Sequence, residues 1–168
     1  MNKIPAVRIV RATLEDIPFI KDLAQRVWWA HYPEIITDEQ IRYMLGAWYS
    51  APALREQMAE GGQEYWLIKT DEQEAPCGYL SMSRKEQTGS YYLHKFYLEG
   101  RGKGVGAVAF NTIMAQYPDL KELRLNVNRR NFKSVNFYFK VGFKIESVMD
   151  LEVGEKYIMD DFVMVYLQ

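Results

Sequence analysis

The stretch that most constrains this chain is Arg101-Gly102-Lys103-Gly104-Val105-Gly106, with three glycines at alternate positions and two cations among them. Upstream, Tyr91-Tyr92-Leu93-His94-Lys95-Phe96-Tyr97-Leu98 is rich in aromatic and β-favouring residues. Downstream, Val105, Val108, Ala109, Thr112 and Ile113 recur with the spacing of a helix face. The pattern predicts strand, glycine turn, helix. A backbone stripped of side chains lets consecutive N–H groups point at one anion at the mouth of the helix, where the dipole adds partial positive charge. Arg101 and Lys103 add two full charges, so a phosphate or pyrophosphate is the natural ligand.

Two familiar phosphate motifs do not fit. A nucleoside-triphosphate loop needs Gly-x-x-x-x-Gly-Lys-Ser/Thr, and here Gly104 follows Lys103 where a magnesium-binding hydroxyl is required. A dinucleotide fingerprint needs its third glycine further on and a carboxylate about 20 residues later. Leu123-Arg124-Leu125 stands at that distance.

The turn resembles the pyrophosphate-binding signature Arg/Gln-x-x-Gly-x-Gly/Ala of the GCN5-related N-acetyltransferases, which Arg101, Gly104 and Gly106 match position by position. A second segment, Asn126 to Phe143, is similar to the other half of that family's cofactor site: an Asn, a small residue, Phe-Tyr, then Gly-Phe, here Asn131, Ser134, Phe137-Tyr138 and Gly142-Phe143. With the flanking strands, the resemblance covers nearly the whole chain.

The 168 residues suit a single domain, residues 1–168, with one sizeable core. Hydrophobic residues make up 48% and charged residues 26%, an ordinary globular balance, while 14% aromatic suggests aromatic-lined pockets. A net charge of −1 gives no general attraction to nucleic acid. No apolar run approaches the roughly 20 residues that span a bilayer, and Met1 to Pro5 does not lead into an apolar leader. Cys77, the one cysteine, has no intrachain disulfide partner. The expectation is a cytoplasmic protein without a metal.

Ala6 to Arg11 alternates apolar and charged residues as a first strand does. Thr13 with Asp16 starts a helix whose apolar face is Ile17, Ile20, Leu23, Ala24 and Val27. Thr37 starts a second helix, and Leu54 to Ala59 is a short third that ends at Gly61-Gly62. Further strands are expected at 64–69, 78–83, 91–98, 121–127, 143–149 and 157–166. The resemblance implies an α/β (α+β) fold: a mixed, mostly antiparallel sheet of six to seven strands, splayed between strands 4 and 5 and flanked by about four helices.

It also implies that acetyl-CoA lies in the splay, with backbone contacts from Phe96, Tyr97 and Leu98, the diphosphate on Arg101, Gly102, Lys103, Gly104, Val105 and Gly106, and the pantetheine arm along Asn131, Ser134 and Tyr138. The last three fall at i, i+3 and i+7 and share a helix face. The Tyr138 phenol is then the general acid that quenches the departing thiolate. Asn131 alternatively reads as the N-cap of its helix. Only Glu99-Gly100 separates Leu98 from Arg101, a shorter connection than relatives carry, which bears on the backbone contacts of Tyr97 and Leu98.

The base is sought at His94, on strand 4 where many relatives place a Glu, since imidazole titrates in a suitable range. The acceptor pocket is expected from the first two helices and the last strands, giving Trp28, Trp29, Tyr32 and Glu34, with Tyr43 and the pair Asp160-Asp161 behind them. Aromatic faces and carboxylates together suit a cationic amine. A looser likeness to the bacterial polyamine acetyltransferases makes a small-molecule primary amine, a polyamine among the candidates, the expected acceptor. Many relatives pair as homodimers. The alternatives are acetylation of protein amino groups, a non-catalytic acyl-CoA sensor and a phosphate-binding interaction module.

Overall fold

The computed structural model describes residues 4–100 and 104–168. Strands β1 (Val7–Arg11), β2 (Glu64–Thr70), β3 (Gly78–Arg84), β4 (Ser90–Leu98), β5 (Glu122–Asn128), β6 (Lys144–Val153) and β7 (Tyr157–Leu167) form one sheet, ordered β1-β2-β3-β4-β5-β7-β6. Every neighbouring pair is antiparallel except β4 and β5, which run parallel. Helices α1 (Ile17–His31), α2 (Asp38–Tyr49) and α3 (Ala51–Ala59) cover one face, and α4 (Val105–Met114) and α5 (Phe132–Lys140) cover the other.

Local chemistry accounts for the helix starts. The Thr13 N–H donates to Asp16 Oδ2 (2.8 Å) and opens a single 3-10 turn, Leu14–Asp16, that runs into α1. Thr37 Oγ1 accepts from the Gln40 N–H (3.2 Å) at the start of α2. The described residues form five helices where the resemblance implied about four; the third, expected from Leu54, begins earlier at Ala51, where Ser50 ends α2 and caps α3 through the Ala53 N–H (3.4 Å). Ile20, Leu23, Ile41 and Leu54 are fully buried between these helices and the sheet. Each such side chain contributes about 1.5–3 kcal/mol.

Two irregularities of β4 shape the site. Its pairing with β3 matches Ser81 with Lys95 but Met82 with Leu93, so His94 is an extra residue and β4 bulges there. Before the bulge, Tyr91 and Leu93 face the core under α4 and α5; after it, Phe96 and Leu98 take that face. Lys95 and Tyr97 turn instead toward Tyr65 and Tyr79 on the α1–α3 side.

The second irregularity is the splay. β4 pairs with β5 only through Ser90↔Glu122, Tyr91↔Leu123 and Tyr92↔Arg124, yet runs on to Leu98. Among the described residues, the β5-facing backbone edge of Phe96, Tyr97 and Leu98 has no strand partner, as the expected sheet requires. The strand then ends in a clamp: the Glu99 N–H donates to the Cys77 carbonyl (2.7 Å), and Arg26 of α1 grips the Glu99 carboxylate (Nε to Oε1 2.6 Å). Gly100, at φ +81°, turns the chain in a conformation that disfavours other residues.

Candidate active site

A groove of about 470 Å³ opens between the free edge of β4, the start of α4 and the exposed side of α5. Phe96, Tyr97, Leu98, Gly104, Val105, Gly106, Asn131, Ser134 and Tyr138 all line it, so the structure brings together every described residue expected to hold the cofactor. Arg101, Gly102 and Lys103 belong to the same expectation and lie outside the described residues. Gly104 is the N-cap of α4 at φ +72°, and the first-turn amides of the helix have no intrahelical acceptor. A Cβ on Gly106 would meet Phe137 Cε2 at 3.1 Å and Leu98 Cδ1 at 3.3 Å, so a bare backbone is what lets α4 approach β4 and α5 here.

The groove fits an extended amide-bearing ligand that ends in phosphates. Unpaired strand backbone can hydrogen-bond such an arm as an added strand would. The amides at the head of α4 suit an anion. Asn131 performs the helix-cap role: its Oδ1 accepts from the Ser134 N–H (3.2 Å) at the start of α5. That bond fixes the Asn131 side chain in the groove wall.

A second cavity, of about 510 Å³, lies between α2, β4 and β7. Tyr32, Phe96, Tyr97, Asn131, Ser134 and Tyr138 line both spaces, so they meet at the splay. Tyr138 stands at this junction, buried against Phe137 and Phe143. Its hydroxyl makes no hydrogen bond among the described residues, and burial pushes the phenol upward, keeping it protonated. The Tyr32 and Tyr97 hydroxyls share a hydrogen bond (3.3 Å) beside it.

Of the residues expected to hold the acceptor, Trp28 and Tyr32 line the second cavity, their rings stacked at 4.4 Å. Trp29 and Glu34 do not line it: Trp29 packs under Arg42 (5.3 Å), and Glu34 is exposed in the turn after α1. His94 lines it, but Nε2 is engaged with Ser83 Oγ (2.8 Å). Burial, with Lys95 and Lys85 nearby, lowers the imidazole to about 4.

The acidic pair near the C-terminus divides between two environments. Asp160 accepts from Asn128 Nδ2 (2.9 Å) and faces Arg130 (3.8 Å). Asp161, only 2% exposed, lines the cavity, and its Oδ1 has no hydrogen-bond partner among the described residues. Burial, reinforced by Asp160 and opposed by Arg129, raises its carboxyl to about 6. Alternation along β7 is the sequence signal that separates the two aspartates, but which one faces inward depends on the register with β5.

The whole chain resembles solved acetyltransferases. A profile described as "Acetyltransferase (GNAT) domain" matches residues 34–156. The chain belongs to this family. GNAT enzymes draw their acetyl group from acetyl-CoA, in keeping with the groove. Among solved structures, the GNAT fold here superimposes on a PaiA N-acetyltransferase from Thermoplasma acidophilum in complex with coenzyme A, with a TM-score of 0.75 and 23% identity, covering 97% of this chain and 99% of that one. It also matches a spermidine N-acetyltransferase from Vibrio cholerae in complex with CoA and spermine, with a TM-score of 0.68 and 16% identity over 96% and 95% of the two chains. A curated relative, the peptidyl-lysine N-acetyltransferase YjaB of Escherichia coli (strain K12), is 30% identical over 91 residues, 54% of this chain and 57% of that protein.

Proposed function

We propose that this chain transfers the acetyl group of acetyl-CoA to the primary amine of a small molecule, by direct attack with both substrates bound. The observation that carries this reading is the partnerless carboxylate oxygen of Asp161, set in a cavity that meets the cofactor groove at Tyr138. A buried carboxylate oxygen with no hydrogen-bond partner among the described residues favours a cationic guest.

Bound acetyl-CoA would supply an acyl carbon already activated as a thioester. The free edge of Phe96, Tyr97 and Leu98 would hold the arm of that ligand and direct its acyl end toward the junction with the second cavity. Asp161 draws in the ammonium and accepts its proton. A carboxyl near 6 is ionised at neutral pH yet more basic than an ordinary aspartate. As the nitrogen–carbon bond forms and the carbon–sulfur bond breaks, Tyr138 donates its phenolic proton to the leaving sulfur, and the second proton shed by the attacking nitrogen restores the phenol. Trp28 and Tyr32 cover the carbon stem of the amine. His94, neutral and tied to Ser83, is the second candidate for the base.

The test is a panel of polyamines, amino acids, amino sugars and lysine-containing peptides, followed by release of free CoA. Turnover of a small amine supports the reading. Tight acetyl-CoA binding with silence across the panel would turn it into a sensor, and turnover of peptides alone would move it to the protein-lysine chemistry for which YjaB is named.

A further inference from the structure

The acceptor cavity holds a second charge that the transfer step leaves unused. Lys95, turned inward by the bulge at His94, is 9% exposed. Its Nζ donates to Gln57 Oε1 (2.6 Å) and Gln63 Oε1 (3.3 Å) and lies over the rings of Tyr49 (5.4 Å) and Tyr65 (5.3 Å). No carboxylate among the described residues pairs with it. The same amide oxygens accept from the Tyr65 hydroxyl (2.7 Å) and Ser81 Oγ (2.7 Å), which fixes both glutamines with their oxygens toward the ammonium. Two of the three ammonium donors are thereby used, and one remains.

A cation removed from water and surrounded by neutral dipoles is costly unless a counter-charge arrives. Burial accordingly lowers the Lys95 ammonium to about 7. Gln40 of α2 contributes another unspent donor to the cavity wall: its Nε2, in a side chain 8% exposed, has no partner among the described residues. The cavity thus carries an unpaired anion, Asp161, and an unpaired cation, Lys95, that do not touch each other. Along β4, Lys95 stands two residues before Tyr97 at the junction, ~7 Å of strand.

We infer that the acceptor is an amino carboxylate, with its ammonium at Asp161 and its carboxylate at Lys95. The assignment rests on Asp161 as the partner of the amine in the proposed transfer. A polyamine has no group for Lys95 and would bring a further cation against it.

Trp28 and Trp48 line the cavity, so their fluorescence reports its occupancy. The full chain, with and without saturating CoA, is titrated with a series of straight-chain ω-amino carboxylates of two to five methylenes, their methyl esters, and spermidine. At least one carboxylate is expected to bind about 10-fold or more tighter than its own ester, with spermidine weaker than that carboxylate. In Lys95→Met the carboxylate-to-ester ratio falls to about one. A wild-type ratio near one throughout the series, tightest binding by spermidine, or no binding by any of them would overturn the inference without recourse to the variant. Because binding is read separately from CoA release, discrimination without turnover counts against the transfer reaction alone. Turnover of amines without discrimination counts against the amino carboxylate alone.

Discussion

Replacing Asp161 by Asn should make the protein a poorer catalyst and a more stable fold, and the two effects have one cause. Folding lifts the Asp161 carboxyl from 3.8 to about 6, chiefly by desolvation. Converted at 1.36 kcal/mol per pKa unit, that is roughly 3 kcal/mol in a dry site. Water in the open cavity screens it to about 1–2 kcal/mol. Because the folded value is raised, the carboxyl favours folding fully below about pH 4, and that contribution is lost as pH rises through 6. The substituted amide carries no charge, so Asp161→Asn should match the wild type in stability near pH 4 and exceed it by about 1–2 kcal/mol at pH 8. For a chain of this size that is roughly 2–8 °C in Tm. Thermal melts at both pH values measure it. In parallel, kcat/KM of the wild type should rise through an inflection near pH 6, and the variant should lose that inflection and fall about 100- to 10,000-fold. His94→Asn should keep the inflection. A variant no more stable at pH 8 than the wild type, or one that retains activity and its pH profile, would refute the account of Asp161 as a buried base. Loss of the inflection in His94→Asn would transfer the role to the imidazole.

Tyr138→Phe keeps the ring packing against Phe137 and Phe143 and removes only the hydroxyl, so acetyl-CoA affinity by calorimetry should hold while kcat falls about 100-fold or more; unchanged kcat would leave the thiolate to another donor. Asn131→Ala removes the acceptor of the Ser134 N–H and should cost about 1 kcal/mol, read as ~2–4 °C in Tm, together with weaker acetyl-CoA binding; an unshifted Tm would show that the cap contributes nothing to α5.

The groove that gathers Phe96 to Leu98, Gly104 to Gly106, Asn131, Ser134 and Tyr138 was legible in the sequence because it is built from local pattern. Gly104 and Gly106 sit where a strand hands over to a helix, and Asn131, Ser134 and Tyr138 share a helix face through spacing alone. The second cavity was legible only in part. Trp28 and Tyr32, one helical turn apart, stack in the cavity as their spacing allows, while Trp29 and Glu34 point elsewhere. Periodicity does not tell which side of α1 meets β4 rather than α2.

What the chain determined by itself was the order of its elements, the glycine at the head of α4, the family to which it belongs and the helix face that carries Tyr138, since each depends on neighbours within a few residues. The rest was settled by tertiary structure. One extra residue in β4 reverses the alternation after His94 and turns Lys95 inward, onto glutamines more than thirty positions away. The register of β7 against β5 sends Asp161 into the cavity and leaves Asp160 with Asn128 and Arg130. Charge buried without a partner exists only once distant segments have closed around it, and the proposed chemistry of the acceptor follows from those closures.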